Sequence, residues 1–362
     1  MDILNISKKF LGVLLVFLLA FAFSGCKARV DNSWIIKSEG ANFSEGVYKY
    51  YLRESYKKAE ELLQDDVSDL ENGTENPKPL SEREIEGLRF NDWVKKEAAE
   101  SCKELLAVEH IFKGENLNLT EQENNEITKT LNDLWTALSG TFEKFSISKE
   151  DVKRACVEFD AKYKKVFNFY YAKDGKKKVS DEEILDYYKG NYVNYSTFTK
   201  YAFVSSKTEE NEDRGVSKEQ IDDARNQVVE YVRAINSGEK GFPDVVNSFK
   251  EHENLESDVV QTETINLKDA DVSDEILDKL KKLEIGKADY VEIGDSFIVL
   301  FKNDISGSLP DLTNEEAREG ILVNMKYDEF KEVLDSVAKK LSFEENTEYI
   351  KTFVPSDIFK DE

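Results

Sequence analysis

The stretch "IGKADYVEIGDSFIVLFKND", Ile285 to Asp304, decides the fold of this chain. It reads as two short strands about a turn at Gly294-Asp295, because apolar and β-branched residues flank a glycine-led pair. Upstream, "VSDEILDKLKKL" reads as a short helix and "DVVQTETINL" as a strand. Before these, "GEKGFPDVVNSFK" gives a turn and another short helix. A longer helix starts at Ser217-x-x-Gln220, with apolar residues at Ile221, Ala224, Val228, Tyr231 or Val232, and Ile235. An alternating run near Thr197–Ser205 supplies the first strand. The order β-α-α-β-α-β-β therefore falls within residues 196–304.

Both flanks are helical. "SWIIKSEGANFSEGVYKYYL" reads as a strand at Trp34–Lys37, a turn at Glu39-Gly40, and a helix from about Ser44. Capping boxes at Ser81-x-x-Glu84, Thr120-x-x-Glu123, Ser148-x-x-Asp151 and Ser180-x-x-Glu183 predict further helix starts. The first of these long helices carries Val94, Ala98, Cys102, Leu105, Val108 and Phe112 at gaps of three and four. The helix from Ser148 carries Val152, Cys156, Phe159, Tyr163, Val166 and Tyr170. Thr313-x-x-Glu316 is expected to cap a last long helix with Val323, Tyr327, Phe330, Leu334, Val337 and Leu341. Such stripes are buried only against one another.

Net charge is -24, with 34% charged residues. That balance argues against nucleic acid, which requires basic patches. Only His110 and His252 are present, so a zinc site built on several histidines is excluded, and no phosphate-cradling glycine motif occurs. No cofactor is expected. Cys102 and Cys156 both fall on apolar stripes and read as free core thiols, with a disulfide as the alternative.

Lys8 and Lys9 precede the apolar run "FLGVLLVFLLAFAFSG", which ends at Cys26. This resembles a bacterial lipobox, with Phe23 where leucine is more usual. The resemblance implies a signal peptide over residues 1–25, acylation of Cys26, and a membrane anchor outside the cytoplasm. A plain secretory signal and an uncleaved anchor are the alternatives.

The signal, the helical flanks and the β-rich middle together resemble the PrsA/SurA-type extracytoplasmic foldases. The segments that carry the resemblance are "WIIKSEGANFSEGVYKYYL", "KDGKKKVSDEEILDYYKGNY" and "KLEIGKADYVEIGDSFIVLFKND". The resemblance implies an α+β chain. A SurA-N-like helical chaperone domain over 26–195 would be completed by C-terminal helices in 305–362. A parvulin-type module, a small antiparallel sheet with helices, would lie between them at 196–304.

Active parvulins carry one histidine on the first strand and another on the closing strand. By position these slots fall at Tyr201 and Phe297. The resemblance therefore implies a chaperone with weak or no prolyl isomerase activity; an active isomerase is the alternative. A transporter's substrate-binding lipoprotein is a further alternative, opposed by the long capped helices. Implied partners are unfolded or newly secreted polypeptides and the membrane, and the oligomeric states left open include a homodimer. Aromatics make up 11% of the chain. Tyr50 and Phe169, off the apolar stripes, are the candidates for client contact.

Overall fold

A computed structural model describes residues 34–38, 41–65, 79–202 and 216–360. The signal-like run and Cys26 lie outside the described residues. The chain divides into two compact units. One comprises Met1–Lys176 with Asp328–Glu362, the other Lys177–Tyr327.

In the first unit a strand β1 (Ile36–Ser38) pairs antiparallel with β2 (Ala41–Asn42) and leads to helix α1 (Glu45–Asp65). A hairpin follows, β3 (Glu84–Ile85) and β4 (Leu88–Arg89). Its turn residues Glu86 and Gly87 have φ of 52° and 77°. Positive φ at both central positions is the signature of a type I′ hairpin turn, and glycine adopts it without a Cβ clash. Helix α2 therefore begins only at Phe90 and runs to Gly114, with no side-chain cap. The expected start at Ser81 is corrected: Glu84 is spent in a strand, because Glu86-Gly87 turns the chain before a helix can propagate.

Helix α3 (Glu121–Lys144) starts on a capping box at Thr120, as the spacing predicts. So does α4 (Lys149–Val152) on Ser148. A π-helical segment, Lys153–Val157, then leads into α5 (Glu158–Tyr171). A π turn admits an extra residue, so the apolar stripe beyond it moves one position along the chain. Phe167 and Tyr171 are buried, whereas Tyr163 and Tyr170, expected in the stripe, are half-buried.

The second unit opens with α6 (Asp181–Asn191), capped by Ser180 and Glu183. It contains β5 (Tyr192–Tyr201), α7 (Lys218–Ser237), α8 (Phe242–Glu253), β6 (Gln261–Asn266), α9 (Asp274–Lys282), β7 (Ala288–Ile293) and β8 (Ser296–Lys302). The four strands form one antiparallel sheet in the order β6-β5-β8-β7. Gly294, φ 62°, takes the first position of the two-residue β7–β8 turn, where a type II′ turn needs glycine. One face of the sheet packs Phe198, Phe297 and Val299 against α7 and α8. The other packs Val193, Tyr195, Val291 and Leu300 against Leu280 of α9.

Residues 177–195 and 305–327, which the sequence reading assigns to the helical part, belong to this sheet-bearing unit. The bonds explain why. Arg318 donates from Nε to Asp181 Oδ1 at 2.8 Å and from Nη2 to the Val179 carbonyl at 2.7 Å. Tyr188 Oη donates to the Ser308 carbonyl at 3.2 Å, and Asn324 Nδ2 donates to Tyr192 Oη at 2.8 Å.

Helix α10 (Glu315–Ala338) carries the chain back into the first unit. Asn314 Oδ1, not Thr313, accepts from the amides of Glu316 and Ala317; the Thr313 hydroxyl is instead held by Asp311. Within the helical unit, Phe330 packs edge-on against Tyr163 and Phe167, with ring centroids 5.0 and 5.2 Å away. Strand β9 (Glu344–Glu345) pairs with β1. The short helices α11 (Thr347–Ile350) and α12 (Pro355–Ile358) follow. Phe353 meets Tyr48 at 5.6 Å, and Phe359 meets Phe145 at 4.8 Å. The helical body is thus built from both ends of the chain.

Candidate functional site: a cleft at the open edge of the sheet

Register fixes which side chains share a face. Tyr201 lies opposite Ser296, and Lys200 opposite Phe297. Adjacent residues on a strand point to opposite faces, so Tyr201 and Phe297 lie on opposite faces of the sheet, and Phe297 is not among the residues that line the cleft beside Tyr201. Phe297 is fully buried with Phe198 and Val299, against α7 and α8. The expected pairing of Tyr201 with Phe297 is therefore corrected. The residues that share Tyr201's face are Thr199, Ser296 and Ile298.

Tyr201 itself is 58% exposed and lines a cleft of about 620 Å³. Thr197 and Thr199 of β5 line it on one side, and Phe249 and Glu253 of α8 on another. The segment from Leu255 to Gln261 completes it, and Leu255 is 38% exposed. Beneath it lies a buried ion pair: Lys200 Nζ donates to Glu253 Oε1 at 2.7 Å, with both side chains under 10% exposed. Aspartates Asp258 and Asp295 also line the cleft. Asp258 Oδ1 accepts from the Val260 amide at 3.1 Å, which fixes the turn into β6.

Farther along the face of Tyr201, Tyr195 donates its hydroxyl to Glu263 Oε2 at 3.1 Å. Burial, reinforced by that carboxylate, pushes the Tyr195 phenol up to about 12. On the opposite face a polar ladder replaces apolar packing. Asn303 Nδ2 donates to Asn194 Oδ1 and Ser196 Oγ, and Asn194 Nδ2 donates to Thr264 Oγ1. Alternation of Asn and Ser in "VNYSTF" was the available signal for this ladder.

His110 and His252 both sit exposed on helices, α2 and α8. Of the client-contact candidates, Tyr50 is half-buried, its ring 6.1 Å from Phe142 and 5.6 Å from Tyr51. Phe169 is half-buried beneath Lys176, whose Nζ lies 4.5 Å from the ring centre. Cys102 is buried and Cys156 partly buried, both as free thiols. Burial raises both thiols above their ordinary range, which keeps them protonated and inert. Among the described residues no cluster of His, Cys, Asp or Glu suits a metal, and no helix is long and apolar enough to cross a membrane.

No family model matches the chain, and no curated protein does. Among solved structures it is similar to foldase protein PrsA from Streptococcus pneumoniae str. Canada MDR_19A. That likeness has 10% identity and a TM-score of 0.33, over 91% of this chain and 97% of that one. It is similar to foldase protein PrsA from Lactococcus lactis at 10% identity and a TM-score of 0.32, over 87% of this chain and 96% of that one. For PrsA from Bacillus subtilis the values are 16% and 0.26, over 68% and 84%.

Proposed function

We propose that this chain is a PrsA-type extracytoplasmic foldase that acts as a chaperone for unfolded secreted polypeptides. The cleft on the sheet-bearing unit carries this reading. It keeps Tyr201 and Leu255 in contact with solvent beside Phe249, Val259 and Val260, and acidic groups border it. Exposed apolar surface of this kind marks an interaction site in a soluble unit. Tyr50 and Phe169 on the helical body would add smaller contacts.

In this reading prolyl isomerisation is weak or absent. Twisting the amide over a barrier of ~18–20 kcal/mol calls for a desolvated, shaped polar site. Around Tyr201 the cleft presents Thr197, Thr199 and Leu255 and is open to solvent instead. Acylation at Cys26 would hold the protein on the outer surface of the cell membrane.

The test is suppression of aggregation of a reduced, denatured secreted protein diluted into the full chain. Protection at near-stoichiometric ratio is the expected result, with little turnover in a protease-coupled prolyl-peptide assay. No protection would overturn the chaperone reading, and turnover at ordinary parvulin rates would overturn the inactive cleft. For the anchor, Cys26→Ala should release the protein from membranes, and retention would refute acylation.

A further inference from the structure

Among the described residues, the backbone N–H and C=O groups of Thr199 and Tyr201 in β5 have no strand partner on the side of the cleft. Opposite β8, the Ala202 amide donates to the Asp295 carbonyl, and the Asn303 amide donates to the Asn194 carbonyl. Even-numbered residues of β5 therefore direct N–H and C=O toward β8. Odd-numbered residues direct theirs the other way, as the Leu267 amide bonded to the Asn191 carbonyl confirms. On that side β6 pairs only as far as Thr197 with Gln261. Beyond it the chain of β6 leaves the sheet, while β5 runs on to Tyr201. Among the described residues Thr199 and Tyr201 thus form a short open edge, and both line the cleft.

We propose, building on the chaperone reading, that the cleft takes an extended polypeptide segment as an added strand paired with Thr199 and Tyr201. Two residues at ~3.3 Å per residue set a pairing span near ~7 Å, enough for up to four backbone hydrogen bonds. The pleat then sets specificity. The bound residue between the two paired ones lies opposite Lys200, whose charge Glu253 already holds, and shares the face of Phe198 and Phe249, so an apolar side chain against those rings is favoured there. Its neighbours share the face of Thr199 and Tyr201, which suits polar residues. Asp258 and Asp295 line the cleft with no basic side chain among the described lining residues, so basic flanks are favoured and acidic ones repelled. The occupant is a non-acidic segment of alternating polar and apolar residues, the pattern of an unfolded strand, and it needs no proline.

The probe is a fluorescent, acetylated and amidated peptide, Lys-Thr-Val-Thr-Val-Thr-Lys, titrated with the full chain. N-methylating the threonines removes the amides that face β5, and affinity should fall roughly tenfold or more. N-methylating the valines, whose amides face away, should change it by no more than about twofold. Equal loss from both, or from neither, would overturn strand addition. Thr199→Pro removes an edge N–H without touching a sheet bond and should also lose the peptide while melting as the parent does. If client protection stands but the parent does not bind the peptide, strand addition alone falls. If protection fails as well, the chaperone reading falls with it.

Discussion

The two units of this protein bury their apolar surface in different ways. The helical unit gathers a large cluster of buried side chains that includes Ile35 and Phe359, so both ends of the chain feed it. In the sheet-bearing unit two smaller clusters cover the opposite faces of the four strands. It leaves one end of β5 uncovered, with Tyr201 and Leu255 in solvent. A core closed by its own chain ends has little left to offer a partner. A sheet with an uncovered edge has both backbone groups and apolar surface to offer. The proposed recognition draws on this difference: it uses the edge of the second unit and leaves the first as support.

Breaking the closure of the helical unit should have the largest effect. All three tryptophans, Trp34, Trp93 and Trp135, lie in that unit, so their fluorescence reports its unfolding. Phe330→Ala empties a fully buried site among Tyr163, Phe167 and Tyr171, and should destabilise by about 3–5 kcal/mol in urea unfolding. A loss below about 1 kcal/mol would mean that the site collapses around the cavity.

The sheet-bearing unit should respond next, through Lys200. Lys200→Ala leaves Glu253 buried without its cation and should destabilise by about 3 kcal/mol. Lys200→Met combined with Glu253→Leu should recover most of that loss, since an apolar pair of similar volume has no charge to desolvate. Circular dichroism, which sees both units, read against tryptophan fluorescence would separate this transition from that of the helical body. A double variant as unstable as the single one would show that the pair is wanted for its geometry.

Smaller effects sharpen the helical side. Thr120→Ala removes a complete capping box and should destabilise by about 1 kcal/mol in the same unfolding assay. Glu104 in α2 is a titration probe. Burial, reinforced by Asp335 and opposed by Lys331, raises its carboxyl above the ordinary 4.5. The folded state therefore holds that proton more tightly than the unfolded chain. The stabilisation is complete below the unfolded value and is lost as pH rises through the folded one. Glu104→Gln should flatten the decline of stability as pH rises above the ordinary carboxylate range. An unchanged slope would assign the decline to other groups.

Much of the architecture was legible because its signals are local. Thr120, Ser148, Ser180 and Ser217 each cap a helix as their spacing predicts. Gly294-Asp295 makes the hairpin turn read from the sequence. The misreadings arose where geometry depended on something beyond spacing. Ser81 matched a capping box, but Glu86-Gly87 held a tighter turn. The π segment at Lys153–Val157 shifted a stripe that strict 3.6-residue periodicity placed at Tyr163 and Tyr170. Of the two slots named from the sequence, Tyr201 lines the cleft and Phe297 lies buried on the opposite face, a separation the sequence does not reveal because register is set by pairing between distant strands. The edge at Thr199 was invisible in the sequence, since it exists only where β6 stops short of β5.

The most direct test of the account is client protection by the full chain carrying Tyr201→Asp with Leu255→Asp. Both side chains are exposed, so stability should change by about 0.5 kcal/mol or less for each. The account predicts that the denatured client then aggregates as though little chaperone were present. Protection equal to that of the parent chain, with the fold intact, would contradict it.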